Sequence, residues 1–126
     1  SLPPTVLALD GAELIVCVSA SPARDFREGG LPGSVIRWEG LARGVAQEHG
    51  VFVAVSQLVG SEGGKLFPGC SMAFGPDGQE LVRGPFLDEG VATTSLEGAQ
   101  LDRARGGSPL LADLEQMLPH LREALE

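Results

Sequence analysis

Apolar residues along the chain fall into short runs that are separated by glycine- and proline-rich turns, and their spacing changes from run to run. A spacing of three or four predicts a helix, whereas a short unbroken run predicts a buried strand. The first residues fit a short helix with Pro3 and Pro4 in its first turn and a stop at Asp10-Gly11. Residues 14–18 follow as an apolar run that predicts a strand buried on both faces.

A long irregular stretch separates this strand from the most regular helical pattern of the chain. Residues 19–33 contain two prolines and three glycines without apolar periodicity, which favours a functional loop over a tight connection. Ser34 is placed to cap the helix that follows, and Gly50 is placed to end it. The apolar residues between them recur at three- and four-residue spacing: Val35, Trp38, Leu41, Ala42 and Val45.

The second half of the chain predicts strands joined by turns. Residues 51–55 are apolar almost without a break, residues 67–74 are apolar with small residues, and Pro76-Asp77-Gly78 is typical of a turn between antiparallel strands. Residues 81–83 and 91–96 predict two further strands. Helices and strands therefore alternate, which indicates an α/β fold.

Two helical stretches are predicted at the end of the chain. Leu101 begins a short one that is rich in arginine, and Ser108-Pro109, a cap followed by proline, begins a second one. The second helix is amphipathic, and one side of it carries Leu111, Leu114, Met117, Leu118 and Leu121. We expect that side to pack against the rest of the domain.

Length and composition fit one soluble domain. The chain has 126 residues, 43% of them hydrophobic, and a formal net charge of −8. Nucleic acids and anionic membrane surfaces attract clustered positive charge, so neither is expected as a partner. No apolar stretch approaches the roughly 20 residues that a bilayer needs, and the N-terminus lacks a signal-peptide pattern, so we expect a cytoplasmic location.

Neither a metal site nor a disulfide framework is predicted. Cys17 and Cys70 are far apart, and neither His49 nor His120 is near a cysteine in the sequence. We interpret His49 as a helix-end residue and His120 as a surface residue. No cofactor is expected.

Two groups of motifs, taken in chain order, carry a family resemblance. The first group is Gly11-Ala12-Glu13-Leu14, Ser19-Ala20-Ser21-Pro22, and Trp38 at the opening of the long helix. The second group is Gln57 with Val59-Gly60, Phe67, Gly69-Cys70-Ser71, and Pro76-Asp77-Gly78. Together they resemble the carbon-nitrogen hydrolase (nitrilase) superfamily, in the part of it that follows the catalytic cysteine.

Within this superfamily, the chain is most similar to the bacterial branch related to the glutaminase domain of NAD synthetase. Both have the Ser-Ala-Ser-Pro motif and a Val-Gly-x-Glu-x-Gly stretch, which is residues 59–64 here. The sequence departs from the family pattern at Gln57, where asparagine is usual, and at Cys70, where a second glycine is common.

The resemblance implies a fold and a position within it. The family fold is an α-β-β-α sandwich, and residues 1–126 correspond to the C-terminal part of a single hydrolase domain. The family chemistry uses a glutamate base, a lysine that stabilises the oxyanion, and a cysteine nucleophile that passes through a thioester. All three correspond to positions upstream of Ser1, so the chain alone is expected to be inactive.

Glu62, Lys65 and Cys70 offer an alternative, a compressed local version of the same triad. Cys70 lies in an apolar run, however, where a small buried residue is the favoured interpretation, and Lys65 is more typical of a solvated charge. Cys17 stands in the middle of a predicted strand, where a thiolate is not stabilised. We therefore assign both cysteines, and also Trp38, to packing.

By the resemblance, two loops that leave strand ends border the missing cysteine, namely residues 19–22 and 60–67. Ser19 and Ser21 are candidates to form hydrogen bonds with an amide or a carboxylate. Glu62 is a candidate to orient the catalytic lysine of the missing portion or to bind a substrate amine, and Phe67 is a candidate to close the pocket. For each of them a purely structural role is an equally good interpretation. The candidate substrate-binding residues are Ser19, Ser21, Glu62 and Phe67.

The expected function is hydrolysis of the carbon-nitrogen bond of a small amide, with this chain forming part of the pocket wall. The expected partners are the N-terminal portion of the same enzyme, without which the open sheet would be marginally stable, and a second copy. In the family, copies pair through helices that correspond to those after Ser1 and Ser34. Two other classes stay open, a non-catalytic scaffold or binding module derived from the hydrolase, and a glutaminase subunit that delivers ammonia to a synthetase.

Overall fold

A computed structural model describes residues 2–26 and 30–107 of the chain. Its elements are α1 (Leu2–Leu9), β1 (Leu14–Ser19), α2 (Gly33–His49), β2 (Phe52–Gln57), β3 (Val59–Glu62), β4 (Lys65–Pro68), β5 (Met72–Phe74), β6 (Glu80–Arg83) and α3 (Gly98–Gly107). The predicted α/β class is confirmed. None of the helices within the described ranges is long and apolar enough to cross a membrane.

Four strands form one sheet in the order β1-β2-β5-β6. The first two run parallel, in a register that sets Leu14 opposite Phe52 and Ser19 opposite Gln57. Parallel strands need a long crossover connection, and α2 lies within the one that joins β1 to β2. The remaining pairs are antiparallel, and the predicted turn at Pro76-Asp77-Gly78 joins β5 to β6.

β3 and β4 form a separate two-stranded hairpin. Its turn is Gly63-Gly64, and both glycines have positive φ values, 58° and 77°, which glycine adopts without steric cost. The prediction of a loop over residues 60–67 was wrong, because two such glycines reverse the chain tightly and bring Glu62 opposite Lys65.

One face of the four-stranded sheet packs against the helices. Successive side chains of a strand point to opposite faces, so Val53 and Val55 of β2 lie on the same side as Met72 and Phe74 of β5. All four are buried in the hydrophobic core. The same cluster contains Ala8, Ala42, Ala46 and Val51, and Ile15, Cys17, Trp38 and Val45 pack against it. The predicted packing of Trp38 is confirmed.

The opposite face of the sheet is uncovered along β1 in the described part of the chain. Leu14, Val16 and Val18 expose 41%, 61% and 84% of their surface. The prediction that residues 14–18 are buried on both faces was wrong, because among the described residues β1 is an edge strand and nothing covers its second face. An unbroken apolar run indicates that both faces are apolar, but it does not say what covers them.

The two ends of α2 were predicted with different success. Gly50 ends the helix in the left-handed conformation, with φ 61°, and its N–H donates to the Ala46 carbonyl. Ser34 does not cap the helix, because the N-cap position is Pro32, and no side chain bonds there. The Ser34 hydroxyl instead accepts a hydrogen bond from the Arg24 N–H at 3.0 Å, so it holds the incoming loop.

Residues 91–96 form no strand, although the sequence predicted one. They line a groove with the open face of the sheet, and Val91 exposes 91% of its surface. The prediction was wrong because β propensity produces a strand only where a neighbouring edge accepts it.

The predicted arginine-rich helix is confirmed as α3, which begins earlier than Leu101 at Gly98. Its Arg105 donates from Nε to the Gly50 carbonyl and from Nη2 to the Ala12 carbonyl, both at 3.3 Å. These bonds hold α3 near the amino ends of β1 and β2. Residues 108–126, with the predicted C-terminal helix and His120, lie outside the described residues.

Replacing Gly50 with alanine is expected to lower the free energy of unfolding by about 1 kcal/mol, because a Cβ is disfavoured at positive φ. Gly40→Ala is the matched control, since Gly40 lies inside the same helix with open space around it and alanine is the better helix former by about 1 kcal/mol. The urea concentration at the midpoint of unfolding should therefore fall for Gly50→Ala and rise for Gly40→Ala. A Gly50→Ala variant as stable as Gly40→Ala would contradict the left-handed helix end.

Candidate functional site

The loop after β1 and the β3–β4 hairpin meet at one edge of the sheet. β1 and β2 are parallel, so their carboxyl ends lie together there. The Leu58 N–H donates to the Ser19 carbonyl at 3.0 Å, and the Ala23 N–H donates to the Leu66 carbonyl at 2.7 Å. Two segments that are distant in the sequence therefore form one continuous surface at the edge where ligand sites of layered α/β folds form.

Ser19 and Ser21 lie on this edge, and both are half-buried. Ser21 lines a small cavity of about 10 Å³ between the loop, the start of α2 and the base of the hairpin. That volume holds about one water molecule. Ser34 and Gln57 also lie on its wall, and most of the other lining residues are apolar, so Ser21 borders a small and largely apolar cavity.

Phe67 and Glu62, the other two candidates, lie at different depths of the hairpin. Phe67 is buried in β4, where its Cα lies opposite Gly60. Glu62 is exposed at the hairpin tip, opposite Lys65. The structure thus brings Ser19, Ser21 and the Phe67 strand together, and it leaves Glu62 at the outer end of the same surface.

Cys70 is buried at the junction between the hairpin and the four-stranded sheet. It has a left-handed φ of 60°, directly after Gly69 at 73°. Burial raises the pKa of the Cys70 thiol, and the positive charge of Arg83 offsets only part of that rise. A thiol that is both buried and harder to ionise is a poor nucleophile, so the structure favours the packing role predicted for Cys70.

Cys17 and His49 also contact other residues in the interior of the domain. Cys17 packs against the core from β1. The His49 ring is buried at the end of α2, with Nε2 at 2.7 Å from the Thr5 hydroxyl and Nδ1 at 3.0 Å from the Val45 carbonyl. The Nε2 contact therefore links α2 to α1, whereas the Nδ1 contact lies within α2. Within residues 2–26 and 30–107, no three His, Cys, Asp or Glu side chains lie together as a metal-binding group.

Two serines at the same edge were not predicted as site residues. Ser71 accepts a hydrogen bond from the Gln57 N–H at 2.9 Å, and its carbonyl accepts one from the Gly84 N–H at 2.7 Å. Ser56 lies opposite Val18 in the parallel pair. The alternation of Phe52, Ala54 and Ser56 could have placed Ser56 on the open face, but only the strand register brings Ser71 beside it.

Both serines line the groove on the open face of the sheet, which has a volume of about 520 Å³. That volume is in the range of small-molecule sites. Its floor is formed by strand residues and its rim by residues 90–94 and 96. The floor is apolar apart from the two serines at its carboxyl end: Leu14, Val16, Phe52, Ala54, Ser56, Ser71, Ala73 and Val82.

Comparison with protein-family models matches residues 2–106 to the carbon-nitrogen hydrolase family. Among curated proteins, the glutamine-dependent NAD(+) synthetase of Aquifex aeolicus is 32% identical over an alignment of 102 residues that covers 78% of this chain and 16% of that protein.

Solved structures show the same architecture. A carbon-nitrogen hydrolase from Helicobacter pylori superposes with a TM-score of 0.78 at 24% identity, covering 87% of this chain and 40% of that one. A mutant of the amidase from Nesterenkonia sp. AN1, in complex with butyramide, superposes with a TM-score of 0.58 at 25% identity. The match covers 82% of this chain and 36% of the amidase chain. The chain thus spans less than half the length of these relatives.

The left-handed backbone at Cys70 predicts that glycine is a more stable replacement than alanine at this position. Cys70→Gly and Cys70→Ala both remove the thiol, but only glycine relieves the strain of φ 60°. We expect the glycine variant to be more stable by about 1 kcal/mol. Thermal unfolding of the two variants, compared at one pH, is the measurement, and equal melting temperatures would show that the backbone at this position carries no strain.

Proposed function

The chain belongs to the carbon-nitrogen hydrolase family, as its motifs predicted, and we propose that it forms part of the pocket wall of an enzyme that hydrolyses small amides. The main support is the surface where the loop after β1 meets the hairpin, joined by the bond from Ala23 to Leu66 at 2.7 Å. It lies at the carboxyl ends of β1 and β2, where ligands bind in such folds. An amidase with bound butyramide is among the structures that the chain resembles.

Each candidate residue has a role in this proposal. Ser19 and Ser21 provide polar groups on the loop, Phe67 gives the hairpin an apolar wall, and Glu62 meets either the reactive lysine or a substrate amine at the outer end. The bond-breaking groups themselves, a glutamate, a lysine and a cysteine that forms a thioester, come from the N-terminal portion of the enzyme. Cys70 is unsuited to the nucleophilic role because its thiol is buried and its pKa is raised.

The same N-terminal portion is the proposed cover of the open sheet face. Val16 and Val18 expose 61% and 84% of their surface on that face, and burying a valine side chain contributes roughly 1.5–3 kcal/mol. The H. pylori structure, of which this chain covers 40%, has the additional length that such a layer needs. We infer that residues 1–126 form the C-terminal part of one domain and are marginally stable and inactive without the rest.

A second copy is the other proposed partner. Val6 and Leu7 of α1 and Leu41 of α2 are exposed on the helical side of the sheet. Exposed apolar residues on two neighbouring helices are a suitable surface for pairing. We propose a homodimer of the complete enzyme through these helices, on the side opposite the open face.

A glutaminase subunit that supplies ammonia to a synthetase is the second candidate function. The observation that favours it is the 32% identity to a glutamine-dependent NAD(+) synthetase over 78% of this chain. Ammonia release from glutamine that rises when a synthetase partner is added would favour the subunit. Hydrolysis of butyramide at a rate independent of any synthetase would favour the free-standing amidase.

Adding the N-terminal portion to this chain is expected to produce amide hydrolysis that neither piece shows alone, measured as ammonia release from butyramide. Val16→Asp should lower that activity at least 100-fold, because it buries an unpaired carboxylate in the interface, at a cost of several kcal/mol.

Ala99→Asp is the matched control, since it adds the same charge at an exposed position of α3 and should leave the activity unchanged. Equal activity of the two variants would show that the open face is not the surface on which the N-terminal portion docks. A chain that unfolds cooperatively by itself and stays inert with the N-terminal portion would instead support the scaffold alternative.

A further inference from the structure

Ser56 and Ser71 form a polar pair at the carboxyl end of an otherwise apolar sheet face. β2 and β5 pair with Ala54 opposite Ala73 and Val55 opposite Met72. Ser56 and Ser71 come next after the paired residues Val55 and Met72, and both line the groove on the open face. The bond from the Gln57 N–H to the Ser71 hydroxyl holds the two strand ends together at this point.

Each hydroxyl has a proton to donate. The Ser71 oxygen already accepts from the Gln57 N–H at 2.9 Å, so its own proton is directed elsewhere. The Ser56 hydroxyl has no partner among the described residues, and its neighbour Val18 is 84% exposed. The two serines therefore present two O–H donors toward whatever covers this end of the face.

Covering the face makes these donors costly unless they are paired. A buried hydroxyl without a hydrogen bond is unfavourable, whereas the surrounding Val16, Val18 and Ala54 gain from burial. The donors also lie beside the loop that begins at Ser19, because Val18 is opposite Ser56 in the parallel pair. An acceptor oxygen is therefore needed at the carboxyl end of the sheet, where the substrate pocket is proposed.

We propose that Ser56 and Ser71 are substrate-binding residues whose hydroxyls donate hydrogen bonds to the oxygen of the bound amide. This inference rests on the proposed function and adds to it a binding element on the open face, distinct from Ser19 and Ser21 on the loop. Two hydroxyl donors at the same end of the groove suit a planar amide, whose oxygen has lone pairs to accept from them.

The test compares two isosteric replacements in the complete enzyme, Ser56→Thr and Ser56→Val. Threonine keeps the hydroxyl and valine lacks it, while both are β-branched and suit a strand. With butyramide as substrate, we expect Ser56→Thr to retain kcat/KM within about threefold and Ser56→Val to lose about 3- to 10-fold more, which is the size of one neutral hydrogen bond. The loss should appear mainly in KM, with equal melting temperatures for the two variants.

Several outcomes would overturn the inference. Equal kcat/KM values for the threonine and valine variants would show that the hydroxyl does not contact the substrate. A lower melting temperature of Ser56→Val with unchanged kinetics would assign the hydroxyl to a structural contact with the N-terminal portion. Failure of the unaltered complete enzyme to hydrolyse any amide would reject the proposed function itself, and this inference with it.

Discussion

The parallel pairing of β1 with β2 is the interaction on which the rest of the structure depends. Its register, from Leu14 opposite Phe52 to Ser19 opposite Gln57, brings two carboxyl ends to one edge of the sheet. The loop after β1 and the hairpin after β2 then leave from the same edge and bond to each other. Because parallel strands need a crossover, α2 must also pass over the sheet, and it covers one face. The candidate site and the open face both follow from this pairing.

Features with a local cause could be predicted from the sequence. The spacing of Val35, Trp38 and Val45 indicates a helix wherever it packs, and Gly50 ends it because only glycine takes a left-handed φ without cost. The β2 strand and the turn at residues 76–78 depend likewise on neighbouring residues. The alternation of such helices and strands then indicated the α/β class, and the family motifs agreed with it.

Features with a distant cause could not be predicted. Ser34 looks like a cap, yet it bonds to Arg24 because the folded loop returns to it. Residues 91–96 look like a strand, but no edge receives them. Ser56 and Ser71 are separated in the sequence and become neighbours only through the register of β2 with β5. The family motifs contain Ser71 but not Ser56, and the fold brings the two together.

The exposed edge strand has a consequence for biosynthesis. β1 is Leu-Ile-Val-Cys-Val-Ser, six residues without charge, proline or glycine. Within the described part of the chain it combines a free edge with an uncovered apolar face. Such segments form intermolecular cross-β contacts when they stay unprotected. A layer over β1 prevents such contacts, so the proposed N-terminal portion would protect β1 best if it were synthesised first. The order of synthesis would then decide whether this strand becomes part of an enzyme or of an aggregate.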